Sequence, residues 1–207
     1  SAVIKDKRGQ IWVGAKENGL SVFNPLNDSF DAMFSDSLAQ VRIVHLHEGP
    51  QERLFVATRS HGLFVIDKAR EQITNWGQSD NAAVELPSSK IQYVYTASNG
   101  NIWIGTFFEG LLLLDDKDKL IQHFRHDRRS TTGISDDLIL SIMEDSAGRI
   151  WLSTKNGLDL YDAQSNSFQR YSTAQGLPNN TIYGALEERE DIIWVSTNKG
   201  LAKIELV

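Results

Sequence analysis

The sequence predicts an all-β fold, a β-propeller built from about five four-stranded antiparallel blades, and three observations predict it. A phrase of about a dozen residues recurs five times: GQIWVGAKENGL (Gly9 to Leu20), ERLFVATRSHGL (Glu52 to Leu63), GNIWIGTFFEGL (Gly100 to Leu111), GRIWLSTKNGL (Gly148 to Leu158) and DIIWVSTNKGL (Asp191 to Leu201). Its aromatic anchors, Trp12, Phe55, Trp103, Trp151 and Trp194, are 43, 48, 48 and 43 residues apart. A step of about 40–50 residues in a strand-rich chain is the period of propeller blades. A glycine-closed turn, finally, follows a short apolar run in every copy and also precedes it in three.

The fourth copy shows how one blade is assembled. Leu138 to Glu144 alternates apolar and polar residues, as a strand does. Asp145-Ser146-Ala147-Gly148 then makes a tight turn, because Asp bonds nearby backbone and Gly accepts positive φ. Ile150-Trp151-Leu152 is apolar throughout, so it reads as a strand covered on both faces. Lys155-Asn156-Gly157 turns the chain again, Leu158 to Tyr161 forms the third strand, and Ser167 to Tyr171 the outermost.

The other copies repeat this grammar. Asp6 to Gly9 and Ser98 to Gly100 occupy the first turn, and Gly19, Gly62, Gly110 and Gly200 each close the second turn before a Leu. Outer strands carry aromatics at Phe30, Phe34, Trp76, Phe124, Phe168 and Tyr171. Burying one such ring between sheets contributes about 1.5–3 kcal/mol, so the anchors read as core. The blades fall at about 1–37, 38–78, 88–125, 137–173 and 180–207. Copy one opens inside its first strand and copy five stops after its third, so the expectation is a fragment of a ring of about seven blades. Its uncovered edge sheets, near Ala2 to Ile4 and Ala202 to Val207, are expected to self-associate.

Composition narrows the function. The 207 residues are 41% hydrophobic and 23% charged, ordinary for a globular chain. A net charge of −6 argues against nucleic acid or an anionic membrane as partner. Without cysteine there are neither disulfides nor thiolate metal sites. No apolar run reaches the length of a membrane span.

Little in the chain suggests chemistry. The Asp145 turn is superficially like the Asp-box of propeller hydrolases, but its Gly is one position late and Ile150 stands where Thr belongs. Glu187, Glu188, Glu190 and Asp191 form an acidic turn too solvated for a raised pKa. His45 and His47 share a strand face, yet spacing supplies no third ligand, so no metal and no cofactor are expected. Arg125 to Arg129 is a basic run that reads as a solvated loop. Phosphate-binding, dinucleotide-binding and nucleophile-elbow motifs are missing from the sequence.

The phrase D-x-x-G-x-[IL]-W-[VIL]-[GS]-T-x-x-G-L, with an outer aromatic after it, resembles the two-component regulator propeller repeat. Four copies carry it well (Gln10 to Leu20, Asn101 to Leu111, Arg149 to Leu158, Ile192 to Leu201), and GLPNNTIY (Gly176 to Tyr183) is similar to the family's inter-blade segment. The second copy departs, with Phe55 for Trp and His47 to Glu52 in place of the usual turn. The resemblance implies a non-catalytic sensor module of a bacterial signalling receptor. It would lie on the periplasmic or extracellular side of the inner membrane and bind a small-molecule or saccharide ligand. The parent protein would carry a histidine kinase, hybrid kinase or diguanylate cyclase output. A protein-interaction scaffold and a propeller lyase or glycosidase are the rival readings.

In a propeller, turns between second and third strands share a face with the inter-blade loops. Phe107-Phe108 is the oddity there, since the other copies carry polar residues at those positions. Arg59, His61, Phe107, Phe108 and Glu109 are therefore the candidate ligand-binding residues.

Overall fold

A computed structural model describes residues 2–78 and 82–206. Residues 79–81 of the Gly77-to-Ser89 loop, together with Ser1 and Val207 at the two expected association edges, lie outside the described residues. The chain is all-β and divides into two compact units, Ser1–Val94 and Tyr95–Val207.

In the first unit, β1 (Ala2–Lys5), β2 (Ile11–Gly14), β3 (Leu20–Asn24) and β4 (Ser29–Met33) form an antiparallel meander in chain order. A single helical turn, α1 (Ser35–Leu38), leads to the second sheet: β5 (Ile43–Glu48), β6 (Leu54–Thr58), β7 (Leu63–Ile66) and β8 (Ile73–Gly77). This sheet departs from the expected four strands. The long loop after β8 folds back, and a short strand β9 (Val84–Glu85) pairs with it in parallel, Trp76 opposite Val84.

The unit boundary falls within β10 (Ile91–Thr96), which heads the third sheet with β11 (Ile102–Thr106), β12 (Leu111–Leu114) and β13 (Leu120–Phe124). The fourth sheet is β14 (Ile139–Glu144), β15 (Ile150–Thr154), β16 (Leu158–Asp162) and β17 (Ser167–Tyr171). The fifth has three strands among the described residues, β18 (Ile182–Arg189), β19 (Ile192–Thr197) and β20 (Gly200–Glu205).

Strands β6, β11 and β15 are buried at every residue, as their unbroken apolar runs require. The anchor rings of the first and fourth sheets pack toward the sheet that follows in sequence. Trp12 sits among Leu46, Leu54 and Val56, and Trp151 among Ile182, Ile193 and Val195. This direction corrects the expectation that all five anchors are buried. Trp194 is 37% exposed, because no sheet follows the fifth among the described residues. Phe30 is also exposed: it lies on the outermost strand of the first sheet, against Phe23 at 5.4 Å between centroids.

Close approach of neighbouring sheets explains the small residue after each anchor triplet. A Cβ on Gly105 would stand 2.7 Å from Ile139 Cβ, and one on Gly14 would stand 2.3 Å from Ile43 Cγ2. Ile43 and Ile139, which open the first strands of the second and fourth sheets, thus nest against the glycine of the sheet before.

Candidate functional site

Two sets of turns, at opposite ends of the strands, carry the polar side chains. At the first, a carboxylate six residues before the anchor braces the indole. Trp12 Nε1 donates to Asp6 Oδ2 at 3.0 Å, and Trp151 Nε1 donates to Asp145 Oδ2 at 2.8 Å. The other oxygen of each Asp caps its turn, accepting from Arg8 and Gln10 N–H in one case and from Ala147 and Arg149 N–H in the other. Burial pushes both carboxyls up, but the indole and backbone hydrogen bonds outweigh it and hold them below the usual carboxylate range. In copy five, Glu188 takes the same role toward Trp194, at 2.6 Å. Copy three has Ala97 at this place, and Trp103 Nε1, though buried, has no acceptor among the described residues.

A second device at this end links each sheet to the next within a unit. The turn residue after the Asp position donates its backbone N–H to a Glu at or near the end of the following sheet's first strand: Lys7 to Glu48 at 2.7 Å, Ser98 to Glu144 at 2.7 Å, Ser146 to Glu187 at 2.8 Å. In the first unit Arg70 joins in, 3.3 Å from Asp6 and 3.4 Å from Glu48, with its guanidinium 5.6 Å from the Trp12 ring centre. The acidic turn expected to be merely solvated is therefore structural in part. Glu187 serves as acceptor, Glu188 braces Trp194, and Asp191 pairs with Arg149 at 2.9 Å.

At the opposite end, the threonine of the repeat locks the loop that holds the candidate ligand residues. Thr106 Oγ1 donates to Gly110 O at 2.9 Å and accepts from Glu109 N at 2.8 Å. Gly110 holds φ at +76°, and a Cβ there would come within 2.1 Å of Phe124 O, so no other residue closes this turn. Glu109 is tied on both sides: its carbonyl lies 2.6 Å from His123 Nε2, and its carboxylate pairs with Arg125 at 2.5 Å. Phe107 is buried at 7% exposure, whereas Phe108 presents a ring that is 56% exposed. Only the second aromatic of the pair thus reaches solvent, and it stands beside an Arg125–Glu109 ion pair at the loop rim.

Arg59 and His61 occupy the equivalent turn of the first unit. His61 N donates to Thr58 Oγ1 at 2.9 Å, its carbonyl accepts from Asn75 Nδ2 at 2.7 Å, and its exposed ring lies 3.1 Å from Ser60 Oγ. Burial and then the charge of Arg42 lower the pKa of Arg59. The five candidate residues are thus divided between the two compact units, Phe107, Phe108 and Glu109 in one and Arg59 and His61 in the other.

Two buried titratable clusters escaped sequence reading. His45 stacks on Tyr93 at 3.7 Å and accepts from Val94 N–H at 3.3 Å, and burial lowers its pKa to about 3. With Nδ1 engaged in this way the ring is neutral and committed to packing. Asp159, wholly buried on β16, accepts from both Ser135 N and Ser135 Oγ, at 2.7 and 2.8 Å, while Ser135 Oγ lies 2.7 Å from Thr154 Oγ1. Burial raises the Asp159 pKa to about 6, against the Ser135 hydrogen bonds. Neither position shows a periodic signal, since His45 depends on residues of strand β10 and Asp159 on the loop residue Ser135.

The two component regulator propeller family model matches residues 85–108, 133–156 and 176–199. These stretches hold the first two strands of sheets three, four and five, each running from well before its anchor into the second turn. No curated protein matches the chain. Among solved structures it is similar to the extracellular domain of the hybrid two component system BT3049 from B. thetaiotaomicron, at 24% identity and a TM-score of 0.81, over 98% of this chain and 28% of that one. It is similar also to the extracellular domain of BT4673 from the same organism (20% identity, TM-score 0.76, 99% and 29%). A third similar structure is PorZ, a surface component of the type-IX secretion system of Porphyromonas gingivalis (15% identity, TM-score 0.75, 99% and 32%). The chain spans about a third or less of each of these structures. The repeated strands, their anchors and this likeness converge: the chain has a β-propeller fold, and three of its stretches match the two component regulator propeller repeat.

Proposed function

We propose that this chain is a non-catalytic, extracytoplasmic ligand-sensing module of a bacterial signal-transduction receptor. The observation that carries the reading is the triple match to the two component regulator propeller, joined to a fold shared with extracellular domains of two component systems. Consistent with it, the polar residues of the repeat bond one another: Asp6, Asp145, Glu48, Glu144 and Glu187 are engaged in bracing anchors and linking sheets. Such groups hold a scaffold, and recognition is left to residues that differ between copies. Phe108 and Glu109, with Arg59 and His61, are such residues, and a small molecule or saccharide is the ligand class they suit. Exposed apolar side chains on the edge sheets, Val3 in the first and Leu186 and Leu201 in the fifth, favour self-association through those sheets.

Thermal-shift measurements against a panel of neutral mono- and disaccharides test the reading, with Phe108→Ala and Glu109→Ala as loop variants. A saturable rise in melting temperature, weakened by a loop variant and unaccompanied by product, is expected. Conversion of any panel member to product, in a manner that tracks the protein, refutes the non-catalytic reading.

A further inference from the structure

A cavity of about 480 Å³ lies between the third and fourth sheets, at the end of the strands away from Phe108. Trp103, Tyr161 and two leucines give it an apolar floor; Asn99, Asn101, Arg149, Asp162 and Gln164 supply polar walls. Its origin can be traced residue by residue. At the matching place between the first and second sheets, Asp6 fills the space before Trp12 and Arg70 reaches across to it from the β7–β8 turn. In copy three the Asp position is Ala97, and the β16–β17 turn offers no arginine, carrying Ala163, Gln164 and Ser165 instead. Both space-filling groups are missing at once, and the gap remains.

What the gap lacks is the carboxylate that would meet its indole donor. Two of its wall residues hold buried N–H donors with no acceptor among the described residues, Trp103 Nε1 and Arg149 Nη2. An unmet buried donor is costly, and a ligand that brings oxygen atoms relieves that cost. Charge does not call for an anion. Arg149 is already paired with Asp145 at 2.6 Å and Asp191 at 2.9 Å, and Asp162 adds a negative charge to the rim. The volume is within the range of small-molecule sites, and a lining of amides, an indole and a phenol suits a ring bearing several hydroxyls.

We infer that this inter-sheet cavity is a binding site for a neutral polyhydroxylated ring compound of one or two rings. The inference rests on the ligand-sensing reading above and gives it a place other than the Phe108 loop.

The test is a titration followed by the five indole N–H signals in ¹H–¹⁵N NMR, with Trp103→Phe identifying the Trp103 signal. The probes are glucose, N-acetylglucosamine, maltose and myo-inositol, with sorbitol as an open-chain control and glucuronate as an anionic one. A saturable shift of the Trp103 signal by at least one cyclic neutral probe, with Trp12 unmoved, is expected. Gln164→Ala combined with Asn101→Ala should weaken it about tenfold or more, each lost hydrogen bond being worth up to that factor. Ala97→Asp, which gives Trp103 an internal acceptor, should weaken it while the protein stays folded. Binding seen by thermal shift that leaves Trp103 unmoved overturns the cavity and leaves the sensing reading standing. Tighter binding of glucuronate than of glucose, or equal binding of sorbitol, overturns the ligand class. A Trp103 signal unmoved by every probe, with no thermal shift either, overturns both readings.

Discussion

Replacing Asp145 by alanine should unmake the brace that holds the fourth sheet's anchor against the fifth. The carboxylate is 5% exposed and accepts four hydrogen bonds: Ala147 N at 3.1 Å, Arg149 N at 2.9 Å, Arg149 Nε at 2.6 Å and Trp151 Nε1 at 2.8 Å. Trp151 is fully buried, so its N–H finds no water once the acceptor is gone, a penalty of about 1–3 kcal/mol. Loss of the turn cap adds about 1 kcal/mol, and Arg149 loses its inner partner while keeping Asp191. The total expected is about 2–4 kcal/mol, most of it from the stranded indole. Urea unfolding followed by tryptophan fluorescence measures it as a lower midpoint at unchanged slope. The mirror experiment is Ala97→Asp, which restores the acceptor that copy three lacks. Asn99 N, Asn101 N and Trp103 Nε1 stand at the same spacings as the donors around Asp145, and a gain of about 1–2 kcal/mol is expected. The reasoning is refuted if Asp145→Ala costs under about 1 kcal/mol, or costs as much in a Trp151→Phe background as in the wild type.

Three more predictions follow from the packing and the titrating groups. Gly105→Val should destabilise the second unit by about 2–4 kcal/mol, because Ile139 already lies 2.7 Å from where a Cβ would be, and Ile139→Ala should recover part of the loss. Asp159, with its pKa raised to about 6 by burial, favours the folded state while it is protonated. Its contribution is complete below the unfolded carboxylate value of about 3.9 and is lost as pH rises through about 6, on the order of 3 kcal/mol, so Asp159→Asn should flatten the dependence of stability on pH over that window. His45 has the opposite sign: its pKa is lowered to about 3 by burial, so its contribution is complete above the unfolded value and lost as pH falls toward 3. Denaturant midpoints at pH 7 and pH 4.5 should show the first unit weakened by acid, and less so in His45→Gln.

How far these features could be read from the sequence depends on whether they repeat. The aromatic anchors, the turn glycines and the strand order were legible because each recurs five times at near-constant spacing, and the burial of β6, β11 and β15 follows from their apolar runs. The Asp-to-indole brace was legible only as a turn, since a spacing of six residues does not reveal that an N–H points back. The inter-sheet links to Glu48, Glu144 and Glu187 span 41 to 46 residues and need the register of two sheets. Strand β9 depends on a loop returning to an edge, which no local pattern specifies. Trp194 is exposed because a sheet face needs a neighbour, a property of assembly and not of the residue. At the candidate site, the sequence picked out Phe107 and Phe108 as a pair. The difference between a buried and an exposed ring arises from the Thr106–Gly110 lock, which aims one inward and one outward. The cavity beside Trp103 is a case of absence, Ala97 where its counterparts have carboxylates, and only the bonds formed elsewhere show what is missing.

Calorimetric titration of the purified chain with the neutral saccharide panel, followed by mass analysis of the recovered saccharide, tests the sensing reading most directly. Saturable binding with the saccharide returned unchanged is the predicted result. Heat that continues after saturation, with cleaved or eliminated product in the recovered fraction, contradicts it.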